Sequence, residues 1–240
     1  MSRIKLFCFP YSGGSSSVFN RWRTQLRHEI ELRPIELAGR GSRMDEPFNQ
    51  NLEELIDDVY GQIKAEVSSA PYALFGHSFG ALICYQLIEK IKQNKLPKPQ
   101  HVFFSGRGAP HLPNDERKMY HLMNFVELKD ELINFGGTPK EFFDHPELMN
   151  MFLPVLKNDF KMGFGFNFSG DICKYDGDIT VFQGKEEKDT ATRLTGWKDY
   201  TSGICHIIYF NGGHFFLNDE MDSLANIINN TLLANKVRTF

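Results

Sequence analysis

Four short apolar runs of this chain each close on glycine: YALFG (72–76), HVFFSG (101–106), DITVFQG (178–184) and CHIIYFNGG (205–213). A fifth, IKLFCFP (4–10), closes on proline. That fifth run, without polar relief, reads as a buried strand, and the other four as further strands. Between them the apolar period becomes helical. Residues 51–67 set Leu52, Leu55, Ile56, Val59, Tyr60, Ile63 and Val67 on one face, with Asn51 as the cap and Glu54 close to a capping-box position. ALICYQLIEKIKQ (81–93) and EMDSLANIINNTLLA (220–234) repeat the helical spacing, and VFNRWRTQL (18–26) is compatible with it. IELRPIEL (30–37) is a weaker strand candidate, because Pro34 cannot donate a ladder hydrogen bond. Strands alternating with helices predict an α/β fold, a mostly parallel sheet flanked by helices on both faces.

One interval breaks the alternation. About seventy residues separate Gly106 from Asp178, far more than the ~15 of a plain loop. FVELKDELINF (125–135) and PELMNMFLPVL (146–156) predict short amphipathic helices there, with breaks at Thr138–Pro139 and His145–Pro146. A helical lid over residues 111–170, inserted in a single domain of residues 1–240, is the expectation. Phe135, Phe142, Phe143, Phe152, Phe160, Phe164, Phe166 and Phe168 fall in this interval, either to pack it onto the sheet or to line an acyl-binding surface.

With 41% hydrophobic residues among 240, the chain can bury a full core. A net charge of -3 argues against a nucleic-acid partner. No run approaches a membrane span, and the start MSRIKLFCFP is too short in apolar residues for a signal peptide, so a cytoplasmic location and no membrane association are expected. Cys8, Cys84, Cys173 and Cys205 lack metal-site spacing and read as reduced, mostly buried thiols.

GHSFG (76–80) fits G-x-S-x-G where that pattern has mechanical meaning, after a strand and at the start of a helix. A serine on so tight a turn needs small residues two positions away on each side, and Gly76 and Gly80 supply them. Ser78 at neutral pH needs a histidine base. Of eight histidines, His214 stands in the fitting place, on a loop after the late strand CHIIYF and before the last helix. An acid orienting it should follow the penultimate strand, where Glu186, Glu187 and Asp189 all stand after Gly184. Charge alone does not choose among them. Oxyanion donors are expected from the amide of Phe79 and from the glycine-bearing loop FPYSGG, through Ser12 or its neighbour Tyr11.

Together CFPYSGG, ELAGRGSR, YALFGHSFGAL, FFSGRGAPH, GGTPKEFF and FNGGHFF resemble the type II, or external, thioesterases that accompany nonribosomal peptide and polyketide synthases, over nearly the whole chain. The resemblance implies an α/β-hydrolase fold with a helical lid between the sixth and seventh strands. It implies hydrolysis of acyl groups from the phosphopantetheine arm of an acyl or peptidyl carrier protein, clearing misprimed or stalled units. Ser78 becomes the nucleophile, His214 the base, and the amides of Ser12 and Phe79 the oxyanion donors. Many members have aspartate three residues after the glycine of the acid loop, and this chain has Glu187 there, with Asp189 as the alternative. No cofactor or metal is called for, and a monomer is expected. A stand-alone carboxylesterase or fatty-acyl thioesterase would share the same catalytic residues.

Overall fold

The computed structural model of the chain describes residues 2–113, 118–137, 140–187 and 191–237. Six strands form one sheet: β1 (Ile4–Phe9), β2 (Ile30–Pro34), β3 (Tyr72–His77), β4 (Val102–Ser105), β5 (Ile179–Gly184) and β6 (Cys205–Phe210), in the order β2-β1-β3-β4-β5-β6. Every pairing is parallel, so all described strands bring their C-terminal ends to one rim. The winding direction reverses between β1 and β3. In open α/β sheets that reversal leaves a crevice beyond the strand ends, where ligands bind.

The helices are α1 (Leu52–Val67), α2 (Phe79–Gln93), α3 (Phe125–Phe135), α4 (Pro146–Gly165), α5 (Ala191–Thr195), α6 (Phe216–Asp219) and α7 (Met221–Val237). Successive strand residues serve opposite cores. Phe7, Phe9, Leu74, Val102, Phe104, Ile179 and Val181 pack with α1 and α2. Their neighbours Leu6, Cys8, Ala73, Phe75, Phe103 and Phe182 pack with α7 and the segment around Trp22. Burial on both faces is why these strands are apolar throughout, each large side chain contributing about 1.5–3 kcal/mol.

Local chemistry sets the element ends. Asn51 caps α1 by accepting from the Glu54 amide at 2.9 Å, worth about 1 kcal/mol. Glu54 reaches back to accept from the Gln50 backbone N–H and the Asn51 side-chain amide rather than from the Asn51 backbone N–H. The stretch around Val18–Leu26 forms a 3-10 helix, Ser16–Thr24, instead of an α-helix. Phe19 and Trp22, three residues apart, eclipse in that geometry, and both rings meet Phe75 edge-on. β2 is a sheet edge, where Pro34 at its last position is tolerated.

The long interval holds the 3-10 turns Tyr120–Leu122 and Lys140–Asp144 together with α3 and α4. α3 has the predicted bounds, closed by an Asn124–Glu127 capping box. α4 continues nine residues past the predicted end to Gly165, through Pro154 and with Pro146 in its first turn. Thr138 and Pro139 lie outside the described residues. Most of the interval's phenylalanines build a third core around Tyr120, Leu128, Leu132 and Leu156, whereas Phe166 and Phe168 lean on the α1/α2 core. The insertion lies between β4 and β5, in the interval expected to hold the lid.

Candidate active site

Ser78 sits between β3 and α2 with φ 55° and ψ -106°, a left-handed conformation that costs a non-glycine residue about 1–3 kcal/mol. Its amide donates to the Ser105 carbonyl at 2.7 Å, and its carbonyl accepts from Ala81, so neighbouring backbone fixes the strain. A Cβ at position 76 would lie 2.0 Å from the Gly80 carbonyl oxygen, and one at position 80 would lie 2.1 Å from that of Phe9. Glycine at both places is therefore a steric necessity. The same closeness brings the first turn of α2 against the end of β1. The Phe79 amide opens this 15-residue helix, where first-turn N–H groups lack intrahelical partners and the helix dipole favours negative charge.

His214 follows β6, and the loop bearing it is laced to the loop after β5. Lys185 donates its amide to the Phe210 carbonyl at 2.9 Å, and Glu186 donates to Gly212 at 3.1 Å. A Cβ on Gly184 would stand 2.3 Å from the Gly213 oxygen, so the two loops meet only because position 184 has no side chain. This lacing places the Glu187 carboxylate against His214 Nδ1 in a hydrogen bond. A carboxylate only accepts, so Nδ1 carries the proton and Nε2 is the basic nitrogen. Asp189 lies outside the described residues.

His77, last in β3, is fully buried and pairs through Nδ1 with the Ser105 hydroxyl at 2.8 Å. Its ring lies 4.9 Å from that of His214. Burial holds its pKa well below the usual histidine range, and the charged form of His214 would lower it further. The neighbour of the candidate base is thus a neutral ring. His214 and Ser78 come to the same end of the sheet, each beside His77 in space or sequence, yet no hydrogen bond joins them among the described residues. Such catalytic bonds commonly tighten only with substrate bound.

The loop after β1 completes the site. Tyr11 accepts from the Gly14 amide at 2.9 Å across a four-residue turn, with Gly13 at φ 79°. The Tyr11 ring stands edge-on to Phe215 at 4.9 Å, joining this loop to that of His214. Two acids and two arginines that sequence reasoning left unremarked secure the turn. Glu36 accepts from the Ser16 amide and hydroxyl at 3.0 and 2.8 Å. Arg43 donates to the Glu36 carbonyl. Asp159 of α4 accepts from the Gly13 amide at 2.8 Å and pairs with Arg40 through two bonds of 2.6 Å. The quoted string ELAGRGSR contains three of these four; the partner of Arg40, 119 residues away, had no signal in sequence.

A model of the thioesterase domain matches residues 4–232. The chain belongs to the thioesterase family. Among curated relatives, the gramicidin S biosynthesis protein GrsT of Aneurinibacillus migulanus is 34% identical over 217 residues, covering 90% of this thioesterase and 84% of that protein. The medium-chain S-acyl fatty acid synthase thioesterase of Anas platyrhynchos is 36% identical, covering 89% and 85%. Among solved structures, ClbQ from the colibactin NRPS/PKS pathway superposes with a TM-score of 0.92 at 30% identity, covering 98% of this thioesterase and 99% of that chain. The α/β-hydrolase expectation holds, with a central sheet flanked by helices. No helix among the described residues of the thioesterase is long and apolar enough to cross a membrane.

Proposed function

We propose that this thioesterase removes acyl groups from the phosphopantetheine arm of carrier proteins, returning misprimed or stalled nonribosomal peptide or polyketide synthases to use. Ser78 Oγ attacks the thioester carbonyl carbon while His214 Nε2 takes its proton. Glu187, hydrogen-bonded to Nδ1, fixes the tautomer and stabilises the imidazolium. The oxyanion forms against the amides of Phe79 and Ser12, with Tyr11 the alternative to Ser12. The carbon–sulfur bond then breaks, the pantetheine thiol departs with the proton from His214, and water hydrolyses the acyl-serine by the same route in reverse. A thiol with pKa near ~8.5 leaves more readily than an alcohol and asks less of the acid. Residues 111–170 act as a cover, and Phe135 of α3 lies 6.2 Å from the His214 ring.

The single observation behind this reading is the strained serine at the head of α2 at the same end of the sheet as a carboxylate-bound histidine. The carrier-bound substrate is favoured by the match to ClbQ over the full length of both chains, from a pathway of that kind. The fatty-acyl alternative is favoured by the medium-chain relative. Turnover of acetyl-carrier protein, acetyl-pantetheine and a long-chain acyl-pantetheine separates the two. Carrier-bound acetyl should be hydrolysed at least about tenfold faster than the free thioesters, and Ser78→Ala should abolish all three activities. Preference for the free long-chain thioester would transfer the assignment to fatty-acyl hydrolysis.

A further inference from the structure

Asp159 and Arg40 form a fully desolvated pair, 0% and 5% exposed, joined by two parallel bonds. A buried ion pair gives little stability over apolar residues of the same volume, so its placement needs another reason. The pair is spent on one turn. Asp159 Oδ2 also accepts from the Gly13 amide, and Arg40 Nη1 also donates to the Gly14 carbonyl at 3.2 Å. The peptide planes joining Ser12 to Gly13 and Gly14 to Ser15 are thereby fixed, and the first of them shares the Ser12 Cα with the plane of the Ser12 amide.

Helix α4 presents Phe152, Leu156, Asp159 and Gly163 at i, i+4, i+7 and i+11, a single stripe. The first two flank Gly13, where a Cβ would lie 2.7 Å from the Phe152 ring and 3.1 Å from Leu156. Gly163, at the other end, admits the Phe79 ring, 3.0 Å from where a Cβ would stand. Arg107 donates to the Gly163 carbonyl at 3.1 Å. One face of one helix therefore touches the loop of the Ser12 amide at Gly13 and the side chain of Phe79; Ser12 and Phe79 are the two residues whose amides would meet the oxyanion.

We infer that α4 is a brace that sets the spacing of the two oxyanion donors, with Asp159 the positioning residue for the Ser12 amide and Arg40 the group that neutralises it. The inference rests on the reading of the site given above. An unpaired carboxylate here would repel the developing oxyanion; the bidentate arginine removes that repulsion while leaving the Gly13 contact intact.

Two double variants without a buried charge test this. Arg40→Met/Asp159→Leu deletes the acceptor for Gly13, and Arg40→Gln/Asp159→Asn keeps one. Both are compared with the intact enzyme for thermal midpoint, kcat and KM on acyl-carrier protein, inhibition by an acyl trifluoromethyl ketone, and amide exchange at Gly13. Deleting one oxyanion donor outright typically costs about 10²–10³-fold. Misplacing one should lower kcat by about 10–100-fold in the Met/Leu variant with KM within about twofold, weaken the ketone by the same factor and expose the Gly13 amide. The Gln/Asn variant should recover most of each loss. A folded Met/Leu variant with kcat and ketone affinity within about twofold of the intact enzyme overturns the brace. Should Met/Leu not fold, full kcat in a Gln/Asn variant whose Gly13 amide has lost protection overturns it equally. An intact enzyme with no thioesterase activity would defeat the site reading instead, and fast exchange at its Gly13 amide would defeat the brace separately.

Discussion

At the scale of single residues, the proposed mechanism depends on which nitrogen of His214 is free. The Glu187 carboxylate holds the proton on Nδ1, so Glu187→Gln should lower the acylation rate by at least about 100-fold in rapid-mixing assays, because an amide no longer enforces the tautomer or balances the imidazolium. Asp189→Asn should stay within about threefold of the parent; the opposite order would move the acid to Asp189. Ser78, His214 and the acid loop were legible because each stands at a strand end with its own turn chemistry. Arg40 and Asp159 were not. Nothing in a charge on a helix tells burial from solvation until a partner 119 residues away is known. His77 shows the same limit, since its neutrality comes from packing.

At the scale of elements, glycines decide where backbones cross. Gly184→Ala would drive a Cβ into the Gly213 carbonyl and part the loops of Glu187 and His214. Activity should fall by about 100-fold or more, with a smaller loss of thermal stability than Gly76→Ala, whose Cβ would strike the Gly80 oxygen under the nucleophile. Gly61 gives the contrasting case, lying in α1 with open space around it. Gly61→Ala should stabilise the protein by about 1 kcal/mol, raising the melting temperature by about 2–4 °C with kcat unchanged. The strands and α1 were readable because two-sided burial and single-sided burial leave different periods. The 3-10 helix Ser16–Thr24 was not, because Phe19 and Trp22 satisfy either helical spacing. The length of α4 escaped as well: the predicted segment already runs through Pro154 but ends at Leu156, where polar residues break the apolar period, while the helix continues to Gly165.

For the molecule as a whole, two buried histidines tie stability to pH. His101 bonds Thr180 at 2.9 Å inside the sheet, and burial lowers its pKa to about 4. His77 is shifted the same way by the same cause. Both bind a proton more readily in the unfolded chain, so their contribution is complete above about pH 6.5 and declines as the solution is acidified. His101 alone should account for about 3 kcal/mol between pH 7 and pH 4. Urea midpoints measured across that range should fall steeply for the parent and less steeply for His101→Gln. A flat parental profile would mean that these rings are solvated.

The insertion between β4 and β5 keeps its aromatic interior apart from the two layers that clasp the sheet, and it reaches the candidate site through one stripe of α4 and through Phe135 of α3. Evolution can therefore vary that interior, away from these contacts, without disturbing the chemistry proposed beneath it.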